Sequence, residues 1–373
     1  MWYSLASLDR ACGNLDNTAQ KEALEVWGYS TFHRITTPRK ERMKTTPDII
    51  ILHNDVKEDS PEDVLDILVQ AKWIAEILIE KGYTARLLPF SFENISQLAK
   101  ENPSLPPIVF NLVDSAPGEE TLSYLIPGIL SHFHLPFTGC SLDALFVTTN
   151  KMLAKRLMHA SGIPTPCWIC LDASTASLPL VQDAWYLVKP IAEDASVGLD
   201  DDSLVHGTSL EVIEAAIRRK EQRSVCRYFA EQFVDGREFT ACMYGHAADS
   251  IILPPYEWVF EGFEEQQRAK IITYDAKWND KSFGFEHIKA KYEIAPVDVP
   301  LVARLELIAR QCWQVFGLSG YARVDFRVDP EGNPWVLEVN GNPSFYGFYH
   351  IANNLGLPFP SIVEHITLAA HDR

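Results

Sequence analysis

A chain of 373 residues, 47% hydrophobic and 22% charged, is long enough for two or three domains with an ample core, and its composition is that of an ordinary soluble protein. Its 33 basic and 50 acidic residues give a formal net charge of -17, which argues against a nucleic-acid partner, whose backbone is held by clustered Lys and Arg, but leaves room for a small anion gripped by a few local lysines. Seven scattered cysteines fit a reducing compartment, no apolar run approaches the roughly 20 residues that span a bilayer, and the N-terminus lacks a basic region followed by an apolar one, so the expectation is a cytoplasmic protein with no membrane partner.

Residues 1–46 have mixed polarity and end in Arg39-Lys40-Glu41-Arg42 and Lys44; they read as an extension outside the core fold. From Pro47 the character changes, with an apolar strand Ile49 to Leu52, a polar loop His53 to Pro61 and a helix from Glu62 to Lys81. That helix has Val64, Ile67, Leu68, Ala71, Ile74, Ala75 and Leu78 on one face and Gly82 as its stop. Tyr83 to Leu88 and Ile108 to Leu112 are further strands, and Pro136 to Gly139 is a short one that closes this part. Strands alternating with helices imply a parallel sheet. A helix from Thr149 to Ser161, capped by Thr148 or Thr149, opens the next part. The pair Cys167 and Cys170 stands alone as a CxxC, read as the start of an apolar strand rather than a redox or zinc motif.

Strand Trp185 to Val188 leads through Lys189-Pro190 into a loop, Glu193 to Gly198. A helix Leu210 to Lys220 and a strand Val225 to Phe229 follow, then a connection that turns at Gly236 into another strand. Residues 254–295 are polar and aromatic with weak periodicity, the character of a lid or binding loop. A helix Leu301 to Val315 delivers the chain to a hairpin whose first strand alternates Arg323, Asp325, Arg327 and Asp329 with Val324, Phe326 and Val328. A four-residue turn, Pro330 to Asn333, would set Asp325 across from Glu338 and Arg323 across from Asn340 on one face. Opposed carboxylates repel. Either a divalent cation binds between them, as oxygen ligands allow, or this is a surface hairpin whose acids pair with Arg323 and Arg327.

These motifs, in this order, resemble the D-alanine–D-alanine ligase family of ATP-grasp enzymes over roughly residues 47–370. The resemblance rests on LPFTG at 135–139 followed by Asn150-Lys151 and Lys155, on LVKPIAEDASVG, on AEQFVDGREFT, on Tyr274-Asp-Ala-Lys277 and on the hairpin. It implies an ATP-grasp fold, α/β overall and α+β in its nucleotide-binding part, behind an N-terminal Rossmann-like parallel-sheet domain at 47–147. A central subdomain at 148–230 would carry the phosphate loop and a C-terminal one at 231–373 the metal site and mobile loop. It further implies that ATP is held by Lys151, Lys189, Ser196, Glu231, Phe233, Glu238 and Lys277, and Mg²⁺ or Mn²⁺ by Asp325, Glu338 and Asn340, with Arg323, Lys277 and Ser344 in catalytic positions.

The chemistry fits these residue types. Joining a carboxylate to an amine in water is uphill, so the acid is first activated as an acylphosphate, a step that depends on positioning and charge neutralisation. Three lysines would meet one triphosphate, and the planar, always charged Arg323 suits the acylphosphate and the tetrahedral intermediate.

Departures from the family concern the substrate. The first strand runs into His53-Asn54-Asp55-Val56-Lys57-Glu58 instead of a Gly-Gly-x-Ser-x-Glu motif, Ala195 stands for a serine and Trp278 for a tyrosine, so all three members of one donor-holding network are missing. Beyond Asn340, Ser344 replaces a glycine and Tyr349 a serine. Glu119, Trp278, Asn342, Tyr346 and Tyr349 are the candidate substrate residues, with Glu58 and Asp59 as further candidates for an amine; the aromatic cluster is either packing or the wall of a larger acceptor pocket. The expectation is an ADP-forming carboxylate–amine ligase on small molecules other than two D-alanines, a homodimer being compatible with the family. The alternatives are an authentic D-alanine–D-alanine ligase and a nucleotide-binding regulator without catalysis.

Overall fold

The computed structural model describes residues 47–56, 62–114, 122–172, 179–193, 196–246 and 249–370, so the extension at 1–46 and the candidates Glu58, Asp59, Glu119 and Ala195 lie outside the described residues. The chain forms two compact units. Among the described residues, the first is built from 47–113, Leu130–Thr138 and 344–370, and the second from Asp114–Ile129 and Gly139–Pro343.

In the first unit, β1 (Ile49–His53), α1 (Glu62–Glu80), β2 (Ala85–Pro89), α2 (Phe92–Glu101) and β3 (Ile108–Asn111) give the expected parallel sheet in the order β2-β1-β3. All of β1 is buried, as a central strand covered on both faces must be, which is why Ile49 to Leu52 form a continuous apolar run and not an alternation. The α2 helix, absent from the sequence reading, starts where the Ser91 hydroxyl accepts the Asn94 N–H at 3.0 Å. The strand expected at Pro136 to Gly139 is only one bridge, Val109 with Phe137.

The second unit takes in most of α3 (Leu125–His132) and opens with two helices, α4 (Leu142–Thr149) and α5 (Lys151–Ala160), where the sequence suggested one. Asn150 breaks them. Its side chain accepts the N–H groups of Met152 and Leu153, both at 3.1 Å, and so caps α5, whereas Thr148, one of the expected caps, spends its hydroxyl on Ala144 O within α4. Next come β4 (Trp168–Cys170), β5 (Ala184–Pro190), β6 (Leu204–Gly207), α6 (Leu210–Glu221) and β7 (Tyr228–Gln232), an antiparallel sheet in the order β4-β7-β5-β6. Ile213, Ala216 and Ile217 of α6 pack with Tyr186, Val188 and Ala230 of that sheet. Strand β7 begins three residues later than expected because Val225 is exposed. Cys170 lies in β4, and Cys167 just before it is a free thiol.

A second antiparallel sheet follows, from β8 (Arg237–Gly245), β9 (Ile251–Ile252), β10 (Tyr256–Phe260), α7 (Tyr274–Trp278), α8 (Phe283–His287), β11 (Ile288–Lys291), α9 (Val299–Val315), β12 (Gly320–Val328) and β13 (Pro334–Asn340). Its order is β11-β10-β8-β12-β13, with β9 beside β8. The stretch at 254–295 is therefore more ordered than its periodicity suggested. Its two strands pair with each other, Trp258 opposite Ala290, but they are four and five residues long and Glu257, Lys289 and Lys291 dilute their apolar signal. Helix α9 closes the other face of the sheet, Leu305, Ala309 and Trp313 sharing a core with Ala241, Ala322 and Val324.

The β12–β13 hairpin has the expected register at its centre, Asp325 opposite Glu338 and Arg323 opposite Asn340, but reaches it by another route. The loop is one residue shorter than expected. Asp329 N–H donates to Asn333 O at 3.0 Å and Asp329 O accepts from Gly332 N–H at 2.9 Å, which leaves a three-residue tip, with Gly332 at φ +82 in the conformation that such a tip demands. Nearer the site the register shifts by one, Phe326 opposite Val336, so Leu337 is an extra residue in a β-bulge that restores the alignment.

The chain then returns to the first unit with α10 (Tyr346–Asn354) and α11 (Phe359–Ala369). Trp73 of α1 stacks on Phe359 with ring centroids 4.8 Å apart, the Tyr83 hydroxyl donates to Glu364 at 2.9 Å, and Phe345 N–H donates to the buried Gln70 side chain at 2.9 Å. Among the described residues no helix is long and apolar enough to cross a membrane.

Candidate active site

The polar face of the hairpin is organised by Arg323. Its Nε and one terminal nitrogen contact the same oxygen of Asp325, at 3.0 and 2.9 Å, and the other Asp325 oxygen accepts the Thr240 hydroxyl at 2.7 Å. That hydroxyl is itself fixed, because the Trp258 indole N–H donates to it at 3.0 Å. Asn340 Oδ1 accepts the Asn342 N–H at 2.8 Å, which turns the chain sharply after β13, and the Tyr321 hydroxyl holds the Asn342 side chain at 2.6 Å. A side chain on Gly341 would come within 2.8 Å of Leu145 and 3.0 Å of Thr148, so glycine is what lets this turn press against α4.

Burial alone would push the Glu338 carboxyl up, yet Lys151, Arg323, Lys189 and Lys277 together pull it down to about 2. Four cations from four separate segments thus act on one carboxylate. Lys151 Nζ is 3.8 Å from Glu338 and donates to Glu193 O at 2.5 Å, which ties α5 to the segment that follows β5. Lys277 in α7 is held down at about 8, first by burial and then by Arg323, against the pull of Glu338, Asp325 and Glu238. Lys189 at the end of β5 donates to Glu231 at 2.5 Å and lies over the Phe229 ring.

The segment from Glu231 to Glu238 also comes together, with two partners that sequence reasoning did not assign. Lys155 makes a buried ion pair with the second oxygen of Glu231. Arg327, 3% exposed, sits 3.0 Å from Glu238, donates to Gly236 O and to Lys270 O, and lies over the rings of Phe233 and Phe260. The sequence signal was present in the period-2 face that already held Arg323 and Asp325. Its partner 89 positions earlier was not visible. Glu238 is raised above the usual carboxylate range by burial, with Arg327 opposing. The segment from Ser196 to Leu199 is tied to the stretch at 254–295, Ser196 Oγ donating to Ile272 O at 2.8 Å and Tyr274 N–H to Leu199 O at 3.3 Å. Trp278, on the same short helix as Lys277, is half-buried.

Three candidates belong to the other compact unit. Ser344, Tyr346 and Tyr349 belong to the first unit, where the Tyr346 hydroxyl donates to Asp66 at 2.9 Å and the Tyr349 ring meets Trp73 edge-on at 4.9 Å. In that setting the aromatic cluster packs α10 and α11 against α1. Asn342 stays with the hairpin in the second unit, where it helps to line a small polar cavity of about 20 Å³ with Asp114, Ser123 and Thr148.

Two carboxylates and an amide oxygen on one sheet face form a hard-oxygen donor set that suits Mg²⁺ or Mn²⁺. Among the described residues no group of three or more His, Cys, Asp and Glu completes a site, so the remaining ligands would be water and substrate oxygens, the usual situation for Mg²⁺.

Comparison with known proteins bears on the fold and the family of this chain. A family model described as D-ala D-ala ligase C-terminus matches residues 157–367. The D-alanine–D-alanine ligase of Coprothermobacter proteolyticus is 31% identical over 296 residues, covering 76% of this chain and 86% of that protein. Among solved structures, the Bacillus anthracis D-alanine–D-alanine ligase in complex with ATP superposes with a TM-score of 0.63 at 16% identity over 88% of this chain and 98% of that one. Vibrio cholerae D-alanyl-alanine synthetase A gives 0.64 at 19% identity, over 88% of this chain and all of that one. The fold and site define an ATP-grasp enzyme of the class that forms C–N bonds. Within that class, the chain belongs to the D-alanine–D-alanine ligase family.

Proposed function

We propose that this protein is an ATP- and Mg²⁺-dependent carboxylate–amine ligase that makes an amide or peptide bond through an acylphosphate, on substrates other than two D-alanines. The observation that carries the reading is the convergence of Lys151, Lys189, Lys277 and Arg323 on the Asp325–Glu338 face. Four cations against two acids leave a surplus positive charge, which a triphosphate would neutralise. Asp325, Glu338 and Asn340 would hold Mg²⁺, which would supply Lewis-acid neutralisation of the negative charge on the phosphates. Lys151 and Lys189 hold the nucleotide's phosphates, Lys277 brings charge to the γ-phosphate from the lid, and the lid excludes water that would hydrolyse the activated acid. Arg323, fixed by Asp325, is set to stabilise negative charge on the acylphosphate and on the tetrahedral adduct that the amine forms with it. The ribose and base fall to Glu238, Phe233 and Glu231.

The substrate part of the proposal rests on Trp278 beside Lys277 and on the missing Gly-Gly-x-Ser-x-Glu motif after β1. A site that loses its hydrogen-bonding partners for a small polar donor loses about 1.5–3 kcal/mol for each charge-assisted bond, and Trp278 offers apolar surface in exchange. The second reading, an authentic D-alanine–D-alanine ligase, is favoured by the names of the relatives. Phosphate release, with mass detection of the product, across a panel of amino acids and amines separates the two. The expected result is turnover with an acid–amine pair other than two D-alanines. A kcat/KM for D-alanine alone above about 10⁴ M⁻¹s⁻¹, ordinary for a natural substrate, would sink the substrate proposal.

A further inference from the structure

Glu231 is 2% exposed and receives two ammonium groups at once, Lys189 from β5 on one oxygen at 2.5 Å and Lys155 from α5 on the other. One lysine would neutralise it. Two leave a net charge of +1 at the floor of the cluster. The second lysine is costly to bury: Lys155 is 1% exposed, its other partners are neutral, Thr165 Oγ1 at 2.7 Å and Pro166 O at 3.2 Å, and burial pulls its ammonium down to about 8. The field of Lys189 reaches both Glu238 and Glu338, so the surplus charge is felt on the face assigned to the nucleotide.

We infer that Lys155 is a positioning residue for nucleotide binding, which neutralises Glu231 so that the charge of Lys189 remains available to phosphate. The inference rests on the nucleotide reading above. Without Lys155, Lys189 would be consumed by Glu231 in a closed neutral pair, and the phosphates would lose a cation although no group that touches them had changed.

The readout is the ratio of dissociation constants for adenosine and ATP, measured on the full chain by equilibrium binding, because the ratio isolates the phosphate contribution from changes at the base. Lys155→Met should lower this ratio by about tenfold or more, as expected for loss of one close charge in a low-dielectric site. Lys155→Arg, which keeps the charge, should stay within about threefold of wild type on the same scale. The double variant Lys155→Met/Glu231→Gln removes one cation and the anion together, restores +1 and should return to within about threefold of wild type, an outcome that a merely structural role for Lys155 would not produce. A wild-type ratio in Lys155→Met, or a double variant as impaired as the single one, overturns the inference. If Lys155→Met does not fold, Glu231→Gln decides instead: it keeps both lysines and removes their shared acid, so the ratio should rise above wild type, and an unchanged or lower ratio overturns the inference. A wild-type protein that fails to bind ATP overturns the nucleotide reading and this inference with it, whereas tight wild-type binding with an unaltered variant overturns the inference alone.

Discussion

Lys277 carries a pH signature that it shares with Lys155, whose ammonium burial also brings to about 8. Burial holds the Lys277 ammonium at about 8 instead of the usual value above 10, and the proposed role requires its charged form. It is protonated below pH 8 and neutral above, so kcat/KM for ATP, which reports the free enzyme, should fall as pH rises through about 8. Lys277→Arg keeps its charge at every accessible pH and should push that decline upward; an identical profile in the arginine variant would remove Lys277 from the assignment. At this scale the sequence was most legible where neighbours lie two apart on a strand. Arg323, Asp325, Glu338 and Asn340 share a face because alternation puts them there, and a turn signal locates the partner strand. Lys155 with Glu231 and Arg327 with Glu238 were not legible, because each pair closes over more than 70 positions and nothing local distinguishes a buried lysine from a solvated one.

Among the elements, the β12–β13 hairpin depends on a compensation. Its loop is one residue short of the expected length and its bulge adds one residue back, so the acids face each other only because two local deviations cancel. A one-residue slip sends every side chain beyond it to the opposite face. Inserting a single alanine between Leu337 and Glu338 should therefore lower turnover by about a hundredfold or more, since misplacing a ligand by a fraction of a strand repeat costs that much. Cooperative thermal unfolding should persist in the same variant. Near-normal turnover would mean that Glu338 does not serve the site from this position. Strong, long patterns such as β1, α1 and α9 could be read from the sequence, whereas the break at Asn150 and the short strands β10 and β11 could not. Asn150 interrupts an otherwise helical pattern with a cap that only its geometry discloses, and a four-residue strand with two lysines has little periodicity to show.

At the scale of the whole molecule, the least legible fact was the return of residues 344–370 to the first unit, since nothing in their apolar helical pattern says which surface they cover. The face of α1 that carries Trp73 and Gln70 depends on them. Ending the chain after Pro343 should expose Trp73 and speed amide exchange across α1 by orders of magnitude, with little change along β8 and β12; unaltered protection of α1 would contradict the packing described here. The same connectivity bears on biogenesis. A nascent chain emerges from the ribosome in order, and domains usually complete themselves as they appear. Here α1, which ends at Glu80, must wait for about 280 further residues before its partner Phe359 is synthesised, so a helix translated early completes its packing late.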